Sequence, residues 1–376
     1  MTDETRGILP DARRTRLLET LHREGSVRVN DLAETLGVTS VTVRRDVAQL
    51  AAEGLVRRVH GGVTLPDAGA TNGAMNGAGN RATNGAGSGG PATGIGMLVP
   101  SLDYYWPDVV RGAEEAARRA GLRVTLRGSS YESEDDLAHV EHLVRGAHVA
   151  GLMLATNTAA GQASAVLEHL VASRTPAVLV ERRVPDALIV PPLDSVVSDH
   201  ALGAAMAVNH LVGLGHRRIG LVTSRNSPTS TPVRRGWLDA LVTHDLDDEG
   251  ALDAVVDRSA TQVFDPPIDN IVSLALERGV TALVVHADPE AIAVVQQCHM
   301  RGLSVPGDLS IVAYDDEVAE LFSPALTAIR PPRRSVGHAA VELLAARLAD
   351  PDRPSHRVII TPTLHVREST GRVRGS

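Results

Sequence analysis

Four arginines, Arg44, Arg45, Arg57 and Arg58, fall within fifteen residues of a chain whose formal net charge is -8. A guanidinium group carries a fixed charge and a planar fork of N–H donors, which matches phosphate oxygens and the major-groove edge of guanine. Screening confines electrostatics to roughly 8–10 Å at physiological salt, so local charge outweighs the acidic total. Arg44 and Arg45 sit in the helix-like run TSVTVRRDVAQL, behind Thr39, Ser40, Val41 and Thr42, while Arg57 and Arg58 precede the Gly61-Gly62 turn. These eight residues are the candidate contacts to double-stranded DNA.

The neighbouring pattern says what holds them. Leu17, Leu18 and Leu21 have helical spacing, and Gly25 ends that run. Asp31 to Leu36 form a second short helix stopped by Gly37, and the Thr39 hydroxyl can cap a third. Val43, Val47 and Leu50 recur at i, i+4, i+7 and define that third helix's buried stripe, leaving residues 40–42, 44 and 45 for its outer face. LVRRV then alternates as a strand, Gly61-Gly62 turns, and VTL returns. Three helices and a basic two-stranded hairpin make a winged helix-turn-helix, in which the third helix enters the major groove by its N-terminal end and the hairpin lies along phosphates.

Asp31-Leu32-Ala33, Val38-Thr39, Thr42-Val43-Arg44-Arg45-Asp46, Glu53-Gly54 and Val59-His60-Gly61-Gly62 closely resemble the N-terminal domain of DeoR-type repressors. The resemblance implies that Thr39 to Arg45 belong to the recognition helix. His60 reads as a turn-packing residue and Asp46 as the partner of a helix arginine; the alternative use of such a module is protein contact. Residues 1–66 thus form a DNA-binding domain. Residues 67–93, rich in Gly, Ala, Asn and Thr with a recurring NGA, form a flexible linker whose ends lie about 30 Å apart under random-coil scaling. From Arg13 to Pro66, nine arginines face six acids, a net of +3, so the rest carries -11.

Residues 94–376 alternate short apolar strands (IGMLVP, VAGLMLAT, PAVLVER, RIGLVTS, ALVVHA, LSIVAYDD) with amphipathic helices. That rhythm predicts parallel α/β architecture, and its length suggests two sheets. Ligands of such sheets bind beyond the carboxyl ends of strands. Those ends are polar here, at Val99-Pro100, Arg127-Gly128, Ala155-Thr156, Glu181-Arg182, Thr223-Ser224, His286-Ala287 and Asp315-Asp316. Tyr104, Tyr105 and Trp106 are three of the chain's eight Phe, Tyr and Trp residues and follow the first of these strands.

Asp199 with Gly203-Ala204, His210 to Ile219, Gly236-Trp237 with Ala240-Leu241, Val305 to Val312 leading to Asp315-Asp316, and Ser323 to Thr327 before Arg330-Pro331 resemble the sensor domain of the lactose-repressor family. The resemblance implies a periplasmic-binding-protein fold closing on a small molecule, commonly a sugar or nucleoside-like compound. Lobe 1 would span about 94–197 and 331–354, and lobe 2 about 198–330 and 355–370, with crossings near Ser198, Arg330 and Pro354. It also implies ligand contacts at Asp315, at Glu181 in place of an Asp, and at Tyr104, Tyr105 and Trp106, for which cleft-rim packing is the alternative; Trp237 falls at a packing position. Two departures stand out: Val233 replaces a cleft Arg, with Arg234 beside it, and Ala287 replaces an Asn, leaving Asp288 and His286. His286, Arg234 and Thr229 are therefore candidate replacement contacts. The family's own headpiece and hinge helix are replaced by the winged helix and linker.

Other chemistry finds little support. No apolar run approaches the roughly 20 residues of a bilayer span, and the N-terminus lacks a secretion signal's apolar core, so a cytoplasmic protein is expected. Cys298 is the lone cysteine, and His139 and His142, three apart on a helix, read as a solvated face rather than a metal site. No cofactor, metal or catalytic residue is expected. An enzyme of two α/β lobes such as a glycosyltransferase would leave the DNA-binding module unexplained. The expectation is a ligand-responsive transcriptional regulator, a repressor of sugar or related carbon-metabolism genes, acting on operator DNA as a homodimer, with a tetramer as the alternative. An activator or a corepressor-type regulator sensing a nucleoside or sugar phosphate is the other reading.

Overall fold

The computed structural model describes scattered positions between 16 and 64, then residues 93–102, 105–129, 136–156, 162–184, 193–225, 227–246, 251–256 and 268–373. The chain divides into two compact units, residues 1–87 and 88–376.

In the first unit Leu17, Leu21, Leu32, Val43, Val47 and Leu50 are buried together with Val56 and Val63. The i, i+4, i+7 stripe is thus the face that packs. Three short strands, β1 (Ser26–Arg28), β2 (Arg57–Val59) and β3 (Gly62–Thr64), form an antiparallel sheet in the order β1-β3-β2. The wing pairs Val59 with Gly62 and Arg58 with Val63, so the expected hairpin is present but Gly62, expected in the turn, is the first residue of β3. β1 was not expected: a three-residue strand with one apolar side chain, Val27, gives no readable alternation, and its pairing to β3 comes from packing Val27 on the same core.

The second unit runs β4 (Thr93–Val99), α1 (Trp106–Arg119), β5 (Leu122–Gly128), α2 (Asp136–Glu141) continuing into a π-helical turn (His142–Gly146), β6 (Leu152–Leu154), α3 (Gln162–Ser173), β7 (Ala177–Val180) and β8 (Asp194–Ser198). It continues with α4 (His200–Gly213), β9 (Ile219–Ser224), α5 (Ser230–Thr243), β10 (Asp253–Val256), α6 (Ile268–Glu277), β11 (Ala282–His286), α7 (Asp288–Met300) and β12 (Ser310–Tyr314). A 3₁₀ turn, Ala319–Leu321, precedes β13 (Thr327–Arg330), α8 (Arg333–Ala349), β14 (Arg357–Ile360) and β15 (Thr363–His365).

Two six-stranded sheets result, ordered β14-β8-β7-β6-β4-β5 in lobe 1 and β10-β9-β11-β12-β13-β15 in lobe 2. All pairings are parallel except β15 against β13. The inner strands are buried along their length, β7, β8, β11 and β12 on every residue, because helices cover both faces. One apolar cluster lies on each side of each sheet. Helices α1 and α8 pack backbone to backbone: a Cβ on Gly337 would stand 2.0 Å from the Val109 carbonyl oxygen. That contact fixes α8, whose first residue is Arg333.

The chain passes between lobes three times, at Ser198–His200, Arg330–Arg333 and Ile360–Thr363. The third crossing differs from the expected Pro354. RVII pairs in parallel with β8, and Val358 and Ile360 join the lobe 1 core, so β14 belongs to lobe 1.

Candidate functional site

The carboxyl ends of β4, β7, β8, β11 and β12 and the first crossing bring together Tyr105, Glu181, Ser198, His200, His286, Tyr314 and Asp315. Glu181 follows β7 with φ 55°, a left-handed backbone that costs a non-glycine residue energy. It is 7% exposed. Its Oε1 accepts from the Tyr105 and Ser198 hydroxyls, and its Oε2 accepts from the Ser198 amide at 2.9 Å. Nε2 of His200 stands 3.5 Å from Oε2, an electrostatic contact that falls short of a hydrogen bond. Burial pushes this carboxyl up, but His200, Ser198 and Tyr105 together outweigh it and hold it at about 2. Burial and the adjoining Glu181 raise the Tyr105 hydroxyl well above its ordinary range, so it stays protonated and donates.

A carboxylate offers about four lone-pair sites. All four on Glu181 face protein donors or His200, so in the structure it organises the cleft, where the resemblance implies a ligand contact.

Asp315 is the contrast. It follows β12 with φ 94°, is half-buried, and its carboxylate receives no hydrogen bond from any described residue. Burial first, then the charge of Asp288, raises it to about 7, against the opposing pull of His200 and Arg333. The Arg333 guanidinium donates to the Asp315 carbonyl oxygen, pairs with Glu317 at 2.9 Å, and lies over the Tyr105 ring with its carbon 5.6 Å from the centroid.

His286 ends β11 and is 3% exposed. Its Nε2 shares a hydrogen bond with the Thr229 hydroxyl at 2.9 Å, and Nδ1 is buried without a partner among the described residues. Burial, then the charge of His200, lowers it to about 3, so the ring is neutral and can donate or accept at Nδ1. Thr229 is thereby placed beside the cluster through His286.

The other expected contacts lie elsewhere. The Asp288 carboxylate accepts the amides of Asp316, Glu317, Val318 and Ala319, at 2.6 to 3.2 Å, and is used up in shaping the loop after β12. Arg234 is half-exposed and pairs with Asp253. Trp106 is 2% exposed in the lobe 1 core, with the Arg182 guanidinium 5.9 Å from its ring centroid. It opens α1, and its size fits packing better than stacking on a ligand. Trp237 is 1% exposed in the lobe 2 core, the packing position expected. Tyr104 lies outside the described residues, as do Thr39, Ser40, Val41, Thr42, Arg44 and Arg45. Arg57 and Arg58 are placed on β2, paired to Thr64 and Val63.

Sequence reading missed Ser198, His200, Tyr314 and Arg333. His200 and Arg333 each open a helix directly after a crossing, and Tyr314 adjoins Asp315, so position relative to the crossings was the available signal. Among the described residues no group of three or more His, Cys, Asp or Glu is arranged to hold a metal ion, and no helix is long and apolar enough to cross a membrane.

Residues 208–370 match the periplasmic binding protein-like domain family, and residues 13–68 match the DeoR-like helix-turn-helix domain family. The HTH-type transcriptional repressor PurR of Aliivibrio salmonicida is 30% identical over 268 residues, covering 68% of this chain and 75% of that protein. The chain belongs to the LacI family of transcriptional regulators. The arabinose metabolism transcriptional repressor of Geobacillus stearothermophilus is 27% identical over 276 residues, covering 71% of this chain and 74% of the relative. The fold of a LacI family regulator from Enterococcus faecium, solved with bound ribose, superposes with TM-score 0.62 at 23% identity over 75% of this chain and all of that one. As a LacI-family member with a DeoR-like head, the protein is a ligand-responsive DNA-binding transcriptional regulator, and the relatives it matches are regulators rather than enzymes.

Proposed function

We propose that the cleft takes an uncharged, polyhydroxylated small molecule of the sugar class, and that its occupancy changes the hold of the winged helix on operator DNA. The observation that carries this reading is Asp315: a half-buried carboxylate with no donor among the described residues, beside a cleft organised by Tyr105, Glu181 and the neutral His286. Ligand hydroxyls would supply the missing donors. The similarity to an arabinose repressor supports the class. A phosphorylated ligand fits less well, because Arg333 is already engaged by Glu317 and the Asp315 carbonyl. A hydrolase-like use of the two carboxylates is disfavoured because Glu181 is fully occupied by protein donors. A thermal-shift screen of pentoses, hexoses, disaccharides, sugar phosphates and nucleosides on the full chain tests it, since a bound ligand raises apparent stability. Neutral sugars should give the shifts; stabilisation by sugar phosphates alone would overturn the assignment.

Ligand binding should be linked to protons. The free Asp315 carboxyl titrates near 7, and hydroxyl donors favour its ionised form. Binding at pH 6 should therefore release protons, and affinity should rise with pH until about 7 and then level off. Calorimetry in two buffers of different ionisation enthalpy measures the release; heats that do not depend on the buffer would exclude Asp315 as the acceptor.

On the DNA side we propose a homodimer placing two winged helices on half-sites spaced by about one helical turn or multiples of it. Replacing Arg45 with Ala should weaken operator binding by about 1–3 kcal/mol and relax base preference, whereas Arg58→Ala should weaken binding evenly across sequences and reduce the salt slope by about 1. Equal losses on operator and random duplex for both variants would reject this division of roles.

A further inference from the structure

Two of the three interlobe crossings are tied to a single segment, Tyr314–Glu317. At the first crossing, His200 Nδ1 lies 3.2 Å from the Tyr314 hydroxyl, which is also 3.2 Å from the His200 carbonyl oxygen. At the second, Arg330 Nε donates to Asp316 at 2.8 Å and Arg333 pairs with Glu317 at 2.9 Å. Beyond the third, at the end of β15 within lobe 2, His365 Nδ1 stands 3.3 Å from Asp316. The loop itself is held from behind by the Asp288 carboxylate.

Two of these ties face partners in both lobes: Arg333, which also stands 3.7 Å from Asp108 of α1, and His200, whose lobe 1 partner Glu181 belongs to the cleft cluster. One ring nitrogen faces Tyr314 of lobe 2 and the other faces Glu181 of lobe 1, at 3.5 Å. His200 is 5% exposed, so water does not compete at either end. Glu181 only accepts, which places a hydrogen on Nε2, while the Tyr314 hydroxyl donates its single hydrogen to the His200 carbonyl oxygen and presents its oxygen to Nδ1. Beyond these ends lie the ligand-facing groups: Tyr105 is bonded to Glu181, while Asp315 follows Tyr314 in the chain and His286 packs edge-on against the Tyr314 ring at 5.4 Å. Gly203 permits the approach, for a Cβ there would sit 2.4 Å from the Tyr314 hydroxyl.

We propose that His200 is a positioning residue that latches the lobe 1 wall of the cleft to the lobe 2 wall, through Glu181 on one side and Tyr314 on the other, and so sets the lobe arrangement presented to the effector. Its regulatory consequence rests on the cleft being the effector site, but the latch is tested without any ligand. Nε2 lacks a full hydrogen bond in the present arrangement, and a shift of Glu181 against His200 of well under an ångström would complete one. The contact is therefore sensitive to small movements between the lobes. A residue bridging two bodies biases their equilibrium by whatever it contributes in one arrangement and not in the other.

The test uses the full-length protein with spin labels at Glu168→Cys on α3 and Met300→Cys on α7, both exposed and in different lobes. Cys298 is buried and its thiol pushed up to about 11, so it does not take the label. Pulsed dipolar spectroscopy then reads the interlobe distance in His200→Asn, His200→Gln and Tyr314→Phe. The asparagine amide can reach Tyr314 only and the glutamine amide Glu181 only. The latch requires both ends, so each variant should broaden the distance distribution and add a second population relative to the parent. His200→Asn combined with Tyr314→Phe should add nothing beyond either alone. A wild-type distribution in the variants, whether or not their melting temperatures fall, would overturn the latch and leave His200 a packing residue. Finding no effector for the wild-type protein would instead count against the proposed ligand class and leave the distance result standing.

Discussion

Asp315→Ala is expected to abolish the effector response while operator affinity stays within a factor of about two of the parent. Truncation removes a cleft carboxylate that receives no hydrogen bond from any described residue, and with it up to two ligand hydrogen bonds to an ionised group, each worth about 1.5–3 kcal/mol. The loss in effector affinity should be on the order of a hundredfold or more. Operator affinity should hold because residues 1–87 form a separate compact unit with its own core. Asp315→Asn should keep the shape and lose the proton linkage. Fluorescence anisotropy on operator DNA, titrated with the best compound from the thermal-shift screen, measures both quantities. An unchanged dose response in Asp315→Ala would remove Asp315 from the site.

The second large effect falls on stability. Glu181→Ala should destabilise the sensor by about 3–5 kcal/mol, since removing one partner of a buried charged network leaves the rest desolvated and unpaired. Tyr105 and the Ser198 amide and hydroxyl would lose their acceptor, and His200 the carboxylate it faces. The pH dependence separates this carboxylate from Asp315. Glu181 is depressed to about 2 when folded, so its contribution is present above the ordinary carboxylate value of 4.5 and is lost as pH falls through 2. Asp315 is raised to about 7, so its protonated form favours the folded state at low pH, and that contribution is lost as pH rises through 7. These two contributions alone sum to a maximum near pH 4–5, and His286, depressed to about 3, opposes the Asp315 limb because its contribution is lost as pH falls below 6.5. Glu181→Gln should flatten the acid limb and Asp315→Asn the neutral limb. Thermal unfolding followed by tryptophan fluorescence across pH 3–8 would show this; identical profiles for parent and both variants would contradict the assignment.

Much of the architecture was readable in the sequence because its signals are local. Strands buried on both faces appear as apolar runs, and helices appear as periodic stripes such as Val43, Val47 and Leu50. What escaped reading depends on long-range pairing. β1 is too short to alternate, and RVII reads equally well as part of either lobe until its pairing with β8 decides it. The candidate site was legible by residue type and only partly by role. Glu181 and Asp315 look alike as acids after strands, yet one is saturated by partners from residues 105, 198 and 200 and the other is left open. Asp288 looked like a cleft acid until the loop after β12 placed four amides on its carboxylate. His200 gave no pattern of its own, since its importance lies in sitting where the chain changes lobes.

The most direct measurement is the salt- and ligand-dependent anisotropy of full-length protein on a duplex selected from random DNA. The account predicts tight binding that weakens steeply with salt, and a change in affinity on adding at least one neutral sugar that Asp315→Ala no longer shows. Binding that ignores salt, or that no sugar alters in the wild-type protein, would contradict it.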